Sequence, residues 1–161
     1  MYILHSALLY SEKAISLKPE SPTPYIIRSY AHQAAFDLDS ARKSTEMALE
    51  HDQANTLALV NLSKLLFGSD HTEEAMETIN KAEDSNPENG EVHSTKGFIL
   101  LALRKTDEAS ESFKKAIFAD RSIGESYLGY ALTMMRQGNS DTALQYISAA
   151  IALEPRRSLF V

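Results

Sequence analysis

Apolar residues along this chain recur at steps of three and four, not two. Leu4, Leu8 and Ile15 make one such stripe, with Leu17 beyond it; Ala41, Ala48 and the small Thr45 make a second, flanked by Leu49; and Leu59, Leu62 and Leu66 make a third. This spacing lines side chains along one face of an α-helix. The stretch Ser140–Pro155, SDTALQYISAAIALEP, carries Ala143 and Ala150 seven residues apart. Stepping back from them 34 residues at a time, Ala143 meets Ala109, Ala75, Ala41 and Ala7, and Ala150 meets Ala116, Ala82, Ala48 and Ala14. Both columns hold through five copies. A fixed period of this length predicts a two-helix unit that stacks on its neighbours, because no unit can bury its apolar face alone.

Start and stop signals divide the units. Ser21 with Pro22, Asp37, Asn55, Thr72, Thr106 and Ser140 are the predicted helix starts, with Glu73, Glu74, Asp107 and Glu108 in first turns, where the helix dipole favours carboxylates. Pro19, Pro87 and Pro155 stop second helices, and Gly68 and Gly138 mark turns. Gly97 falls inside a predicted first helix, where close approach of two helices would explain it. The predicted organisation is one array over 1–161. It begins with a half repeat over 1–21 and continues with full repeats over 22–55, 56–89, 90–123 and 124–157. Residues 158–161 then read as the start of a truncated helix. Both ends therefore read as open, as in a fragment of a longer array.

Composition narrows the function. The 161 residues are 43% hydrophobic and 24% charged, with six Gly and five Pro, which suits a helical fold with short turns. A net charge of -6 disfavours binding a phosphate backbone, so no nucleic-acid partner is expected. Zero Cys removes disulfides, thiolate metal sites and a Cys nucleophile. Met1–Tyr10 lacks a basic region and a small-residue cleavage site, and no apolar run reaches the roughly 20 residues of a membrane span. The reading is a soluble chain of undetermined compartment, with the cytoplasm favoured over the periplasm.

The 34-residue unit, its paired second-helix alanines, the prolines at 19, 87 and 155 and the aromatics Tyr25 and Tyr127 resemble the tetratricopeptide repeat (TPR). Gln53 and Arg121 depart from the terminal proline, and Leu59 and His93 from the bulky first position. The resemblance implies an all-α fold, a right-handed superhelix of antiparallel helix pairs whose first helices line a concave groove. It also implies a protein-interaction scaffold rather than an enzyme. Groove candidates in that geometry are Ile26, Tyr30, Asn61, Lys64, Phe67, Thr95, Phe98, Leu132, Met135 and Arg136. They make a largely apolar stripe in which Asn61 and Lys64 would give a bound peptide or helical segment its polar register. Chaperone-tail capture by a two-carboxylate clamp is not expected. Ile26, Tyr30, Glu91 and Thr95 replace four of that clamp's polar positions, and only Asn61 matches. The alternative reading is a structural spacer or a module that self-associates through its open ends.

No constellation for catalysis, metal or cofactor stands out. His5, His32, His51, His71 and His93 form no pair at metal-ligand spacing. His32 and His93 are read as packing residues. Seven acidic and two basic residues make the repeat over 56–89 strongly negative, a pattern read as a solvated face. Asn61-Leu62-Ser63 matches a glycosylation triplet, but inside a helix it is read as chance.

Overall fold

The structure, a computed structural model, describes residues 2–153; the stop at Pro155 and the truncated helix over 158–161 lie outside them. Among the described residues the chain forms nine helices and no strand. They are α1 (Tyr2–Leu17), α2 (Pro22–Ala34), α3 (Leu38–His51), α4 (Thr56–Gly68), α5 (Thr72–Ser85), α6 (Gly90–Ala102), α7 (Thr106–Ala119), α8 (Gly124–Arg136) and α9 (Ser140–Leu153). First helices (α2, α4, α6, α8) alternate with second helices (α1, α3, α5, α7, α9), as the period predicts. Among the described residues no helix is long and apolar enough to cross a membrane.

Short polar side chains close the helix starts. Carboxylate or amide oxygens of Asp37, Asn55, Asn89 and Asn139 accept from the backbone N–H of Ser40, Ala58, Val92 and Thr142 at 3.1–3.3 Å. Two expected caps shift by a residue. Thr72 and Ser140 are the first residues of α5 and α9, and Asn139 does the capping of α9. Ser21 stands at the start of α2 without a side-chain bond, and Pro22 occupies the first turn.

The turn inside every full repeat is the same device. Phe36, Asp70, Arg104 and Gly138, each 34 residues apart, have φ of 59°, 63°, 61° and 80°. The next residue's N–H reaches five residues back: Asp37 to His32 O, His71 to Leu66 O, Lys105 to Leu100 O and Asn139 to Met134 O, all at 2.9 Å. This satisfies carbonyls left open at the helix end.

The chain divides into two compact units, Met1–Ser85 and Asn86–Val161. In the first, α1 packs on α2, α2 on α3, α3 on α4 and α4 on α5. In the second, α6 packs on α7, α7 on α8 and α8 on α9, with α6 also touching α8. Ala41, Ala48, Ala75, Ala82, Ala109 and Ala116 are fully buried, so the alanine columns act as spacers that let helices approach. Ala7, Ala14 and Ala150, on the first and last helices, are only half-buried.

Candidate functional site

In each unit one second helix, α3 or α7, is centred on a residue held between two first helices. In the second unit that residue is Phe113 of α7, fully buried, with Gly97 of α6 and Gly129 of α8 against its ring. A Cβ built on Gly97 would lie 2.7 Å from the ring, and one on Gly129 only 2.2 Å from it. Gly97 is thus a site of close helix approach, and Phe98 adds an edge-on contact with centroids 4.9 Å apart.

In the first unit the same three register positions are Ser29, Thr45 and Asn61, and they form a buried polar knot. Asn61 Nδ2 donates to Ser29 Oγ and to Thr45 Oγ1, both at 2.9 Å. The two hydroxyls lie 2.7 Å apart, and both reach Ala41 O, at 2.8 and 3.0 Å. Gln33 Nε2 donates to Asn61 Oδ1 at 2.8 Å. The amide of Asn61 is therefore engaged on both its N and O sides inside the fold, which satisfies groups that would otherwise be costly to bury.

This corrects three expected groove residues. Asn61 is 2% exposed and ties α4 to α2 and α3 instead of presenting its amide to a ligand. Ile26 is buried in a cluster with Tyr25, Ala48 and Ala58. Thr95 is buried in α6. The physical reason is position along the helix: Leu57 and Lys64, about one turn either side of Asn61, remain exposed. The glycosylation triplet falls on the same buried Asn61, out of reach of solvent.

The other candidates reach the surface to different degrees. Tyr30 and Lys64 are exposed and Phe67 half-buried in the first unit; Ile27, exposed on α2, and Leu57 join them there. In the second unit Phe98 is half-buried against Phe113. Leu128, Leu132 and Met135 form a stripe on α8, at i, i+4 and i+7, that is 43%, 38% and 54% exposed. Arg136 closes one end of the stripe, and its Nη1 donates to Leu101 O at 2.8 Å. That carbonyl lies in the last turn of α6, where a guanidinium complements the helix dipole.

The bulky first position has a structural duty. Tyr25 Oη donates to Pro19 O at 3.0 Å. The corresponding contact in the repeat over 90–123 runs from His93 Nε2 to Pro87 O at 2.6 Å. A carbonyl only accepts, so Nε2 carries the proton, and His93 stands in for the tyrosine. His32 Nδ1 lies 3.6 Å from Asp37 Oδ2. The carboxyl of Asp37 is held below the usual aspartate range, chiefly by hydrogen bonding with Ser40; Ser122 does the same for Asp120. These groups serve turns and caps. Among the described residues no group of three or more His, Asp or Glu is placed to hold a metal ion.

The geometry agrees with known proteins. PilF, the type IV pilus assembly protein of Pseudomonas aeruginosa, is 24% identical over 136 residues, covering 83% of this chain and 54% of PilF. The chain thus spans about half the length of that relative. A PilF structure superposes with a TM-score of 0.80 at 22% identity, over 92% of this chain and 68% of that one. TTC0263, a thermophilic TPR protein of Thermus thermophilus, gives 0.80 at 20% identity, over 94% and 84%. YrrB, a TPR protein with an unusual peptide-binding site, gives 0.67 at 21% identity, over 96% and 79%. At such identities the likeness concerns the fold. The fold is the all-α TPR type, generally an interaction scaffold and generally non-enzymatic. A family model, the tetratricopeptide repeat-like domain, matches residues 26–136, and the chain belongs to that family.

Proposed function

We propose that the chain binds a peptide or helical segment of a partner protein on the exposed faces of its first helices, with the α8 stripe as the principal anchor site. The observation that carries this is the exposure of Leu128, Leu132 and Met135 in a continuous line on one helix. Contiguous apolar surface of this kind marks interaction sites, and an apolar helix face reads a partner through anchors at matching spacing. Arg136 supplies a charged group at the end of the stripe. In the first unit, Tyr30, Lys64 and Phe67 are the corresponding contacts on α2 and α4. The kinship to PilF and the fold shared with YrrB support a scaffold role.

The test is selection of peptides from a displayed library on the purified chain, followed by titration of the selected peptides against variants. Leu132→Asp and Met135→Asp are expected to weaken binding by about tenfold or more each, as for anchors at the centre of an interface. Because both residues reach solvent, helicity should be kept and the melting temperature should fall only modestly, by what a carboxylate costs near a helix C-terminus. Selected peptides that bind the Leu132→Asp/Met135→Asp double variant as well as the parent chain would overturn the assignment to α8.

A further inference from the structure

The polar knot of the first unit has a direction. Ala41 O only accepts. Ser29 and Thr45 donate to it at 2.8 and 3.0 Å, or one of them donates to the other across 2.7 Å. Either way both hydroxyl protons are used within this group, and the hydroxyl oxygens are left to accept. Asn61 accordingly meets them with Nδ2, at 2.9 Å each. Its Oδ1 then accepts from Gln33 Nε2 at 2.8 Å, and the same nitrogen reaches Ser29 Oγ at 3.4 Å. Gln33 thus turns its donor side into the knot. Its remaining polar atom is Oε1, which bonds to nothing among the described residues. Gln33 is half-buried, and Oε1 is not shut off from solvent.

α2 packs on α1, and Gln33 and Asn61 join it to α4, so this oxygen lies between two repeats and not at an open edge. Tyr30, exposed, stands one turn before Gln33, and Lys64, exposed, one turn after Asn61. The counterparts of Gln33 in the other repeats are Phe67, Leu101 and Met135, so only this copy of the position carries a polar side chain. The direction of the bonds decides what can cover it. A group laid over Oε1 must donate, because an acceptor buried without a partner is unfavourable. A lysine or arginine of the partner would stand beside Lys64, a like charge. A helix has engaged its own N–H groups beyond its first turn. An extended segment keeps its main-chain N–H groups open to such an acceptor.

We propose that Gln33 Oε1 is a fixed acceptor for a main-chain N–H of an extended partner peptide, aligned by the knot that holds its amide. Gln33 is then a specificity-determining residue of the first-unit surface, and Tyr30 flanks the same strand of peptide. The inference deepens the peptide-binding reading and rests on it.

The free chain gives the first test. In NMR the Gln33 Nε2 proton bonded to Asn61 should exchange with water more slowly than the side-chain amide protons of the exposed Gln145. Peptides selected on the purified chain are then remade with single ester bonds, each replacing one main-chain N–H by oxygen. For peptides whose binding falls in Tyr30→Ala, one ester position should weaken binding to the parent chain by about three- to tenfold. The same ester should have little effect on binding to Gln33→Met. Amide and ester peptides are compared on one variant, so a change in that variant's stability does not enter the comparison. Gln33 protons that exchange as fast as those of Gln145, or Tyr30-dependent peptides with no ester position coupled to Gln33, would overturn this inference and leave the peptide surface in place. Selected peptides indifferent to Tyr30→Ala, Lys64→Ala and Phe67→Ala would overturn the first-unit surface and this inference with it.

Discussion

Replacing Gly129 by alanine should destabilise the chain, against the usual effect of such a change in a helix. In an open helix, Gly→Ala stabilises by about 1 kcal/mol. Here the new Cβ would stand 2.2, 2.3 and 2.7 Å from three carbon atoms of the Phe113 ring. Comfortable carbon contacts need about 3.5–4.0 Å, so the ring must retreat by more than about 1 Å. It has little room to do so, because Gly97 already leaves its own would-be Cβ only 2.7 Å from the same ring. Overpacking of this kind costs about 1–3 kcal/mol and occasionally more. An overlap this deep belongs at the upper end of that range, so, set against the gain in helix propensity, the expected net loss is about 2 kcal/mol.

The assay is denaturant unfolding followed by circular dichroism, with the transitions of parent and variants fitted together because repeats need not unfold in one step. Gly68→Ala is the control: nothing lies within 4 Å of its Cβ position, so it should be neutral or slightly stabilising. The decisive step is a double-mutant cycle. Phe113→Ala alone should cost about 3–5 kcal/mol. In that background Gly129→Ala should turn favourable, by about 1 kcal/mol, since the ring it would strike is gone. A Gly129→Ala chain as stable as its parent, or an effect that does not depend on Phe113, would refute the view that the ring is wedged between two glycines.

The polar knot can be tested by exchange. Thr45→Phe alone should cost about 3 kcal/mol, by striking Ser29 and Asn61 and stranding their hydrogen bonds; Ser29→Gly/Thr45→Phe/Asn61→Gly, which copies the Phe113 arrangement, should recover most of that loss in the same unfolding assay. Phe36, 91% exposed with φ of 59°, is held in a conformation that side chains resist. Phe36→Gly should therefore stabilise by about 1 kcal/mol, and Gly138→Ala, at φ of 80°, should destabilise by a similar amount, both read from melting curves. The carboxyl of Asp37 is held below its ordinary value by Ser40. A depressed folded-state pKa gives stability that is present above the unfolded value and lost as pH falls through the folded one. The difference in melting temperature between the parent and Asp37→Ala should thus be full near neutral pH and close as the pH falls below the usual aspartate range.

The helical period was legible because it is carried by residues with no alternative use. A helix packed on both sides needs a small side chain at the contact, and alanine meets that need at Ala41, Ala48, Ala109 and Ala116. The turns were half legible: Gly138 announced a positive φ, whereas Phe36 and Arg104 adopt the same conformation without any signal of their own. The surface was hardest to read, and Asn61 shows why. Its register position holds Ile27, Thr95 and Gly129 in other copies, so the position alone does not say whether the side chain faces a ligand or the core. A signal did exist in Thr45, which is polar where Ile79, Phe113 and Ile147 are apolar. A hydroxyl at the centre of a core requires partners, and Ser29 and Asn61 stand sixteen residues before and after it. Gly97 and Gly129 stand at the same distances from Phe113. The repeating unit therefore keeps a volume shared by three residues rather than any one of them. Asn61 makes its polar contacts within that volume, and the proposed binding surface uses the neighbouring positions that the volume does not enclose.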